Sequence, residues 1–313
     1  MIKFTAEIDF PVGPVHFYFT TSEGKNILID TGPNTDYTKK VYLNHIDLYK
    51  LDYVFLTHIH IDHAGMLQYI SENTEANIYL SAKDMYLLNK KDEWLQHLKT
   101  LFSELGFSKN FCIEIIGILN TLRGYVHVPK RYTILEEDNL LFNLGIDYIK
   151  SSYHSQSDII YMIDRFAYSG DALLRDIFQT PIIDVDYSNP TVRYNNYKAF
   201  CNALYKFKNL NNYTVMPGHM DYIVSVNDTV LFYVNKMFNR LIKIKDKITV
   251  WPLEDLAIYV AGENVDPYIK YLKASEIIFF KDYLEEPEKL KDALTYLGIF
   301  MGEIEKYYYL SLN

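Results

Sequence analysis

The sequence predicts an α/β layered fold, and two observations predict it. Up to residue 225, short apolar segments with strand-like alternation are separated by helical patterns, which is the rhythm of sheets covered by helices. From residue 226 the strand rhythm stops and apolar residues recur at helical spacing. A chain of 313 residues can form one large domain, or one domain with a smaller appendix. The expected division is a layered domain over residues 1–225 and a helical appendix over 226–313.

The first thirty residues read as strands. In Val15-His16-Phe17-Tyr18-Phe19-Thr20 the side chains of Val15, Phe17 and Phe19 share one face. Glu23-Gly24-Lys25 is a turn signal, and Asn26-Ile27-Leu28-Ile29 is a short apolar strand ending in Asp30-Thr31-Gly32. Residues 51–57 form a second apolar strand that runs into a histidine-rich segment. A helix is expected from Asp62 and a strand at Asn77-Ile78-Tyr79-Leu80. Residues 83–130 carry a helical pattern rich in Leu, Phe and Lys, an insertion between sheet segments. It serves either as added core and oligomer surface or as a lid over a cleft. Strands resume at Tyr132–Leu135, Ile146–Ile149, Asp158–Ile163 and Tyr213–Met216.

In the appendix, Val230, Val234, Met237 and Leu241 fall on one helix face. Thr249-Val250-Trp251-Pro252 opens a short helix through Val260. Pro287 suits the first turn of another, with Leu290, Leu294 and Leu297 on one face and Gly298 as its stop. The final Tyr307–Leu312 reads as a strand. Helices followed by a small β-ribbon suggest a winged-helix-like unit.

Composition narrows the function. Apolar residues make up 49% and charged residues 23%, a globular balance, and 29 tyrosines and 18 phenylalanines favour a well-filled core. No run is apolar and long enough to cross a bilayer, so no membrane partner is expected. Met1–Glu7 lacks the basic-then-apolar order of an export signal, which makes the cytoplasm the default address. Neither Cys112 nor Cys201 lies in a zinc-binding spacing, and both are expected to be buried thiols. The net charge of −9 and pI near 5.5 disfavour nucleic acid and leave a small-molecule substrate as the expected partner.

The chemistry concentrates in Thr57-His58-Ile59-His60-Ile61-Asp62-His63. Two histidines at i and i+2 leaving a strand point the same way, and Asp62 and His63 at the start of a helix point back toward the same space. Imidazole and carboxylate are the donors that suit Zn²⁺ and related divalent ions.

Thr57-His58-x-His60-x-Asp62-His63-Ala64-Gly65 resembles the signature of the metallo-β-lactamase superfamily. Four further pieces fall in that family's order: Ile27–Gly32 upstream, then His154 in Ser151–Ser155, Asp171 in Tyr168–Ala172, and His219 in Met216–His219. Around His154 the context departs from the family's usual one. The resemblance covers roughly residues 1–225 and implies an αββα sandwich with a helical insertion. It implies two divalent ions, zinc foremost, with iron or manganese compatible. His58, His60 and His154 would hold one, Asp62, His63 and His219 the other, and Asp171 would bridge them. The implied reaction uses a hydroxide shared by the metals, with Asp62 assigned as the catalytic residue. Asp30 would orient a ligand from behind, or else simply form the turn before Gly32. His16 and His127 have a structural reading and a cleft-lining one; His45 and His97 read as surface residues.

Within the superfamily, the acid that flavo-diiron proteins carry in place of His60 is absent, and the nucleases with a large inserted domain are longer between His154 and His219. Class B β-lactamases often use a cysteine ligand, and neither cysteine lies in these motifs. The resemblance is to glyoxalase II-like hydrolases, with a tail similar to the winged-helix tail of lactamase-beta-like hydrolases and endoribonucleases. The expected substrate is a small ester, thioester or lactone. The alternatives are a phosphodiesterase or ribonuclease, or a mono-iron dioxygenase with overlapping ligands. A non-catalytic domain would not need seven such residues.

The tail's charge bears on the ribonuclease alternative. From Asp246 to Asn313 there are seven lysines, no arginine and thirteen acids, hence 7 − 13 = −6. Its leucines need a partner surface, either the layered domain or a second copy in a homodimer. Each phosphate contact normally takes a Lys or Arg that displaces a counterion. The whole protein should therefore show no tight, salt-sensitive binding to single- or double-stranded RNA or DNA in a low-salt assay. Binding that disappears on truncation at 246 would reverse this expectation.

Overall fold

The computed structural model describes residues 1–8, 13–179, 182–263 and 265–313. Of the segments expected to be strands, residues 9–12 lie outside the described residues. Two sheets face each other. The first holds β1 (Ile2–Ala6), β2 (Val15–Ser22), β3 (Lys25–Ile29), β4 (Tyr53–Phe55), β5 (Asn77–Leu80) and β6 (Tyr132–Ile134) in sequence order. Its first three strands are antiparallel, and β3 to β6 run parallel. The second is built from β7 (Ile146–Lys150), β8 (Ile159–Ile163), β9 (Phe166–Gly170) and, after a small hairpin of β10 (Val185–Asp186) and β11 (Asn189–Arg193), β12 (Thr214–Pro217). Its order is β12-β9-β8-β7, with β12 parallel to β9 and the other pairs antiparallel.

Strand alternation decides which residues fill which layer. Ile27, Ile29, Phe55 and Tyr79 of the first sheet meet Ile159, Tyr161, Ile163 and Tyr168 of the second in one buried layer. Their sequence neighbours Leu28, Val54, Ile78, Ile160 and Met162 point to the outer faces. Both faces of these strands are covered, so they read as continuous apolar runs.

The helices are α1 (Asp36–His45), α2 (Ile61–Ala64), α3 (Leu67–Asn73), α4 (Ala82–Asn89), α5 (Lys91–Glu104), α6 (Lys109–Arg123), α7 (Leu140–Asn143), α8 (Asn196–Phe207), α9 (Val226–Ile242), α10 (Lys245–Ile248), α11 (Leu253–Ala261), α12 (Pro267–Glu285), α13 (Pro287–Tyr296) and α14 (Glu303–Leu312). Val41 and Tyr42 of α1 and Leu67 and Ile70 of α3 cover the first sheet, while Phe200 and Leu204 of α8 and Tyr233 of α9 cover the second. This is the αββα sandwich.

The helical block at 83–130 is α4 to α6, as expected, and its apolar face does not stand alone. Phe102 of α5 meets the ring of Tyr271 from α12 edge-on at 5.6 Å, and Ser108 at the start of α6 donates to Glu254 of α11. Arg193 of β11 forms a bidentate pair with Asp282 of α12, with bonds of 2.6 and 2.8 Å. The tail's Leu253, Leu256, Leu290, Leu294 and Leu297 are buried within the chain itself, in the same continuous core as the insertion and the sandwich.

The expected final strand is a correction. Tyr307–Leu312 lies in helix α14, and among the described residues no strand follows β12, so the winged-helix-like ribbon is not formed. Ile304, Tyr308 and Ser311 are the buried positions of α14, spaced by four and three. Tyr308 packs on Phe238, Tyr283 and Phe300, and Ser311 bonds Tyr283. The run of tyrosines has strand propensity, but burial at helical spacing outweighs it. Cys112 and Cys201 are free and buried, and burial pushes the Cys201 thiol up to about 12.

α4 begins with a reciprocal capping box: Ser81 Oγ accepts from Asp84 N–H while Asp84 Oδ2 accepts from Ser81 N–H. Asp84 is fully buried, and that burial lifts its carboxyl to about 7 despite these bonds. A carboxyl whose folded-state value is raised contributes stability that is complete below 3.8 and is lost as pH rises toward 7. Asp84→Asn keeps the acceptor and removes the titration. Its melting temperature should fall less than the wild type's between about pH 4 and pH 8. Parallel melting curves across that range would show that Asp84 is not the group responsible.

Candidate metal centre

Asp30 ends β3, the His58–His63 segment follows β4, His154 follows β7, Asp171 follows β9 and His219 follows β12. β3 and β4 are parallel, as are β7, β9 and β12 within their sheet, so each sheet delivers its residues from one edge. The two edges are joined there: Ile159 N–H donates to Thr57 O at 2.9 Å, and Tyr161 OH donates to Leu56 O at 2.9 Å.

The structure brings all seven sequence-expected ligands together. His58, His60 and His154 converge as one group, and Asp62, His63 and His219 as another; His58 and His63 also group with Asp171. His60 Nδ1 lies 2.9 Å from His58 Nε2 and 3.2 Å from His154 Nε2. Asp171 stands between the groups. Its Oδ1 is 3.2 Å from His63 Nε2 and 3.6 Å from His219 Nε2, and its Oδ2 is 3.7 Å from His154 Nε2. His219 Nε2 is 3.2 Å from Asp62 Oδ2.

Asp30 lies behind the converging side chains. It has φ of +58°, an uncommon backbone for aspartate, and is buried. Its carboxylate accepts from Thr57 N–H, from Thr57 Oγ1–H and from His63 Nδ1–H, each at 2.8 Å. Thr57 Oγ1 in turn lies 3.0 Å from His58 Nδ1. One carboxylate thus turns two imidazoles so that each aims Nε2 inward. His219 is set likewise by its Nδ1, 2.9 Å from Pro14 O. His154 is held by its backbone, since Asp158 Oδ2 accepts from the N–H groups of His154 and Ser155.

The electrostatics fit a cation site. Burial and the neighbouring imidazoles keep His58 and His60 well below the usual histidine range. Burial opposes charge on His63, but Asp171, Asp62 and Asp30 outweigh it and lift His63 well above that range. Burial also opposes ionisation of Asp171, but His63 and His219 hold it well below the usual carboxylate range. His63 Nε2, His219 Nε2 and Asp171 Oδ1 are buried without hydrogen-bond partners. Such buried lone-pair groups facing one another without partners cost free energy unless a cation satisfies them.

The remaining histidines divide. His16 bonds Thr5 Oγ1 through Nδ1 and Met220 O through Nε2, and burial drops it to about 4. It braces the loop that carries His219 and is not a ligand. His127 lines a cavity of about 600 Å³ beside the centre, with Ile59, Leu87, Lys91, Arg123 and Val126. His45 is exposed and His97 half-buried. Two contributors carry no sequence signal: Gln179 Nε2 donates to Asp171 Oδ2 at 3.1 Å, and Arg123 reaches the mouth of the centre from the end of α6.

Residues 10–219 match the family model described as the metallo-beta-lactamase superfamily. The chain is 32% identical over 121 residues to a protein of Herpetosiphon aurantiacus named "UPF0173 metal-dependent hydrolase", covering 37% of this chain and 45% of that one. It is 24% identical over 260 residues to "Probable metallo-hydrolase YqjP" of Bacillus subtilis, covering 78% of this chain and 79% of that one. The metallo-beta-lactamase family protein TTHA1429 from Thermus thermophilus superposes with a TM-score of 0.70 at 17% identity, covering 92% and 93% of the two chains, a likeness of fold alone.

Gly218 forms the floor of the centre. A Cβ built there would press on the His63 ring and sit 2.7 Å from Asp171 Oδ1. Gly218→Ala should weaken divalent-ion binding by at least about tenfold, with the far-UV spectrum unchanged, because the displaced groups are the ones that converge. Calorimetric titration with Zn²⁺ would check it; wild-type affinity would show that the floor has room to spare.

Proposed function

Because the chain belongs to the metallo-beta-lactamase superfamily, we propose that it is a metal-dependent hydrolase that takes two divalent ions, zinc foremost, and cleaves a small ester, thioester or lactone. The observation that carries this reading is the position of Asp171, with one oxygen toward His63 and His219 and the other toward His154. His58, His60 and His154 would hold one ion, Asp62, His63 and His219 the other. When bound, such a pair supplies Lewis acidity and a water that ionises near neutral pH.

The chain's own residues do the rest. Asp171 offsets the repulsion between two closely spaced positive charges. Asp30 and Thr57 keep the Nε2 lone pairs of His63 and His58 facing inward. Asp62, whose Oδ2 faces His219, receives the proton of the attacking water. The water oxygen bonds to the acyl carbon, the carbon–oxygen or carbon–sulfur bond breaks, and the proton passes from Asp62 to the leaving atom. No serine or cysteine nucleophile is required.

Elemental analysis of protein purified without added metal should give about two divalent ions per chain. A panel of esters, thioesters, lactones and phosphodiesters should show turnover on the acyl compounds, abolished by chelation. Asp171→Ala should lose one ion and nearly all turnover while remaining folded. No metal after reconstitution would overturn the binuclear reading, one iron per chain would favour a dioxygenase, and turnover confined to phosphodiesters would favour the nuclease branch.

A further inference from the structure

The cavity of about 600 Å³ beside the metal centre lies between the α4–α5 junction and the end of α6. Its walls are mixed: Ile59, Leu87 and Val126 form a buried apolar side, and Lys91, Arg123 and His127 are among the polar side chains that line the rest. Ile59 stands between His58 and His60, so the cavity begins where the candidate ligands end. Arg123 lines both this cavity and the narrow cleft in front of His60 and His154. It is the cationic side chain at their junction.

The surroundings of Arg123 leave its charge available. It is half-buried, with its guanidinium 5.7 Å from the centre of the Trp94 ring, and Nη1 donates only a long bond of 3.4 Å to Ile59 O. Among the described residues no carboxylate forms an ion pair with it. Two buried acids, Asp184 and Asp84, feel its charge, and neither forms an ion pair with it. Asp184 accepts from Trp94 Nε1, Tyr187 OH and Val185 N–H, and Asp84 from Ser81. Lys90 at the cavity's rim is paired with Glu93, whereas Lys91 is without an ion pair among the described residues. Asp92 and Glu93 at the rim are exposed, which keeps them in water.

We infer that Arg123 is a specificity-determining residue that binds a carboxylate on the substrate, so that the hydrolase acts on small acyl compounds bearing an apolar stem and a carboxylate. This rests on the hydrolase reading above for the reaction, but not for the binding. A guanidinium matches a carboxylate through two parallel N–H···O bonds, and partial burial against Trp94 strengthens such a pair relative to one in water. The apolar side formed by Ile59, Leu87 and Val126 receives the stem. One unpaired arginine with a single lysine beyond it suits one carboxylate better than a phosphate chain.

The test uses the full chain and two probes matched in length: mono-p-nitrophenyl adipate, which carries a carboxylate, and p-nitrophenyl hexanoate, which does not. In Arg123→Met the ratio of kcat/KM for adipate over hexanoate should fall about tenfold, mostly through KM, and in Arg123→Lys it should fall less, because the charge stays and the fork is lost. Calorimetric titration with hexanoate, against hexanamide as the neutral control, should show the same loss of affinity with metal bound and with metal chelated. An unchanged ratio together with unchanged hexanoate affinity would overturn the inference and leave the hydrolase reading standing. If the wild type cleaves neither ester, the hydrolase reading fails, and hexanoate binding alone then decides the role of Arg123. Should Arg123→Met not fold, Arg123→Lys carries the same test, since it keeps the stem against Trp94.

Discussion

The buried carboxylate of Asp30 is the interaction on which the metal centre depends. It lies at the end of β3, in a backbone conformation that aspartate tolerates better than bulkier residues do. From there it accepts from Thr57 twice and from His63 once, and through Thr57 Oγ1 it reaches His58. A buried anion without these donors would be costly. With them it becomes a rigid post that fixes the tautomer and direction of two imidazoles belonging to different halves of the centre. The parallel pairing of β3 and β4 makes this geometry possible, because it sets the end of one strand beside the end of the next.

The second sheet answers the first across the sandwich. Its strands bring His154, Asp171 and His219 to the facing edge, and the close approach is bounded by Gly218 on one side and Thr57 on the other. The carboxylate of Asp171 then meets imidazoles from both sheets. Its ionised state is favoured by His63 and His219 against the opposing effect of burial. The centre is therefore a place where the layers are held together by charge as well as by apolar contact, and a cation there would join residues drawn from both sheets.

Around this edge the insertion and the tail share a task. α5 and α6 would expose an apolar face if α12 did not cover it, and α12 is in turn tied to β11 through Arg193 and Asp282. This arrangement places the end of α6, with Arg123, at the mouth of the centre. It also explains why the acidic tail carries so many buried leucines: they complete the core of the same chain.

Local pattern in the sequence determined the layered α/β rhythm, the helical insertion and the convergence of His58, His60, Asp62 and His63, while the αββα sandwich and the places of His154, Asp171 and His219 came from the resemblance to the metallo-β-lactamase superfamily. Strand alternation is local, and a histidine-rich segment at the end of a strand is legible because its spacing alone dictates a shared direction. The same local reasoning misassigned Tyr307–Leu312, where β propensity pointed one way and the burial of Ile304, Tyr308 and Ser311 at helical spacing decided the other. Only the tertiary structure assigned Asp30 its hydrogen-bonding role, brought Gln179 to Asp171 and set Arg123 beside the cavity. Within the sequence Arg123 is an ordinary cation in the last turn of a helix, a position favoured by the helix dipole. What distinguishes it is the set of neighbours that long-range packing supplies, and no local pattern encodes which distant side chains those will be.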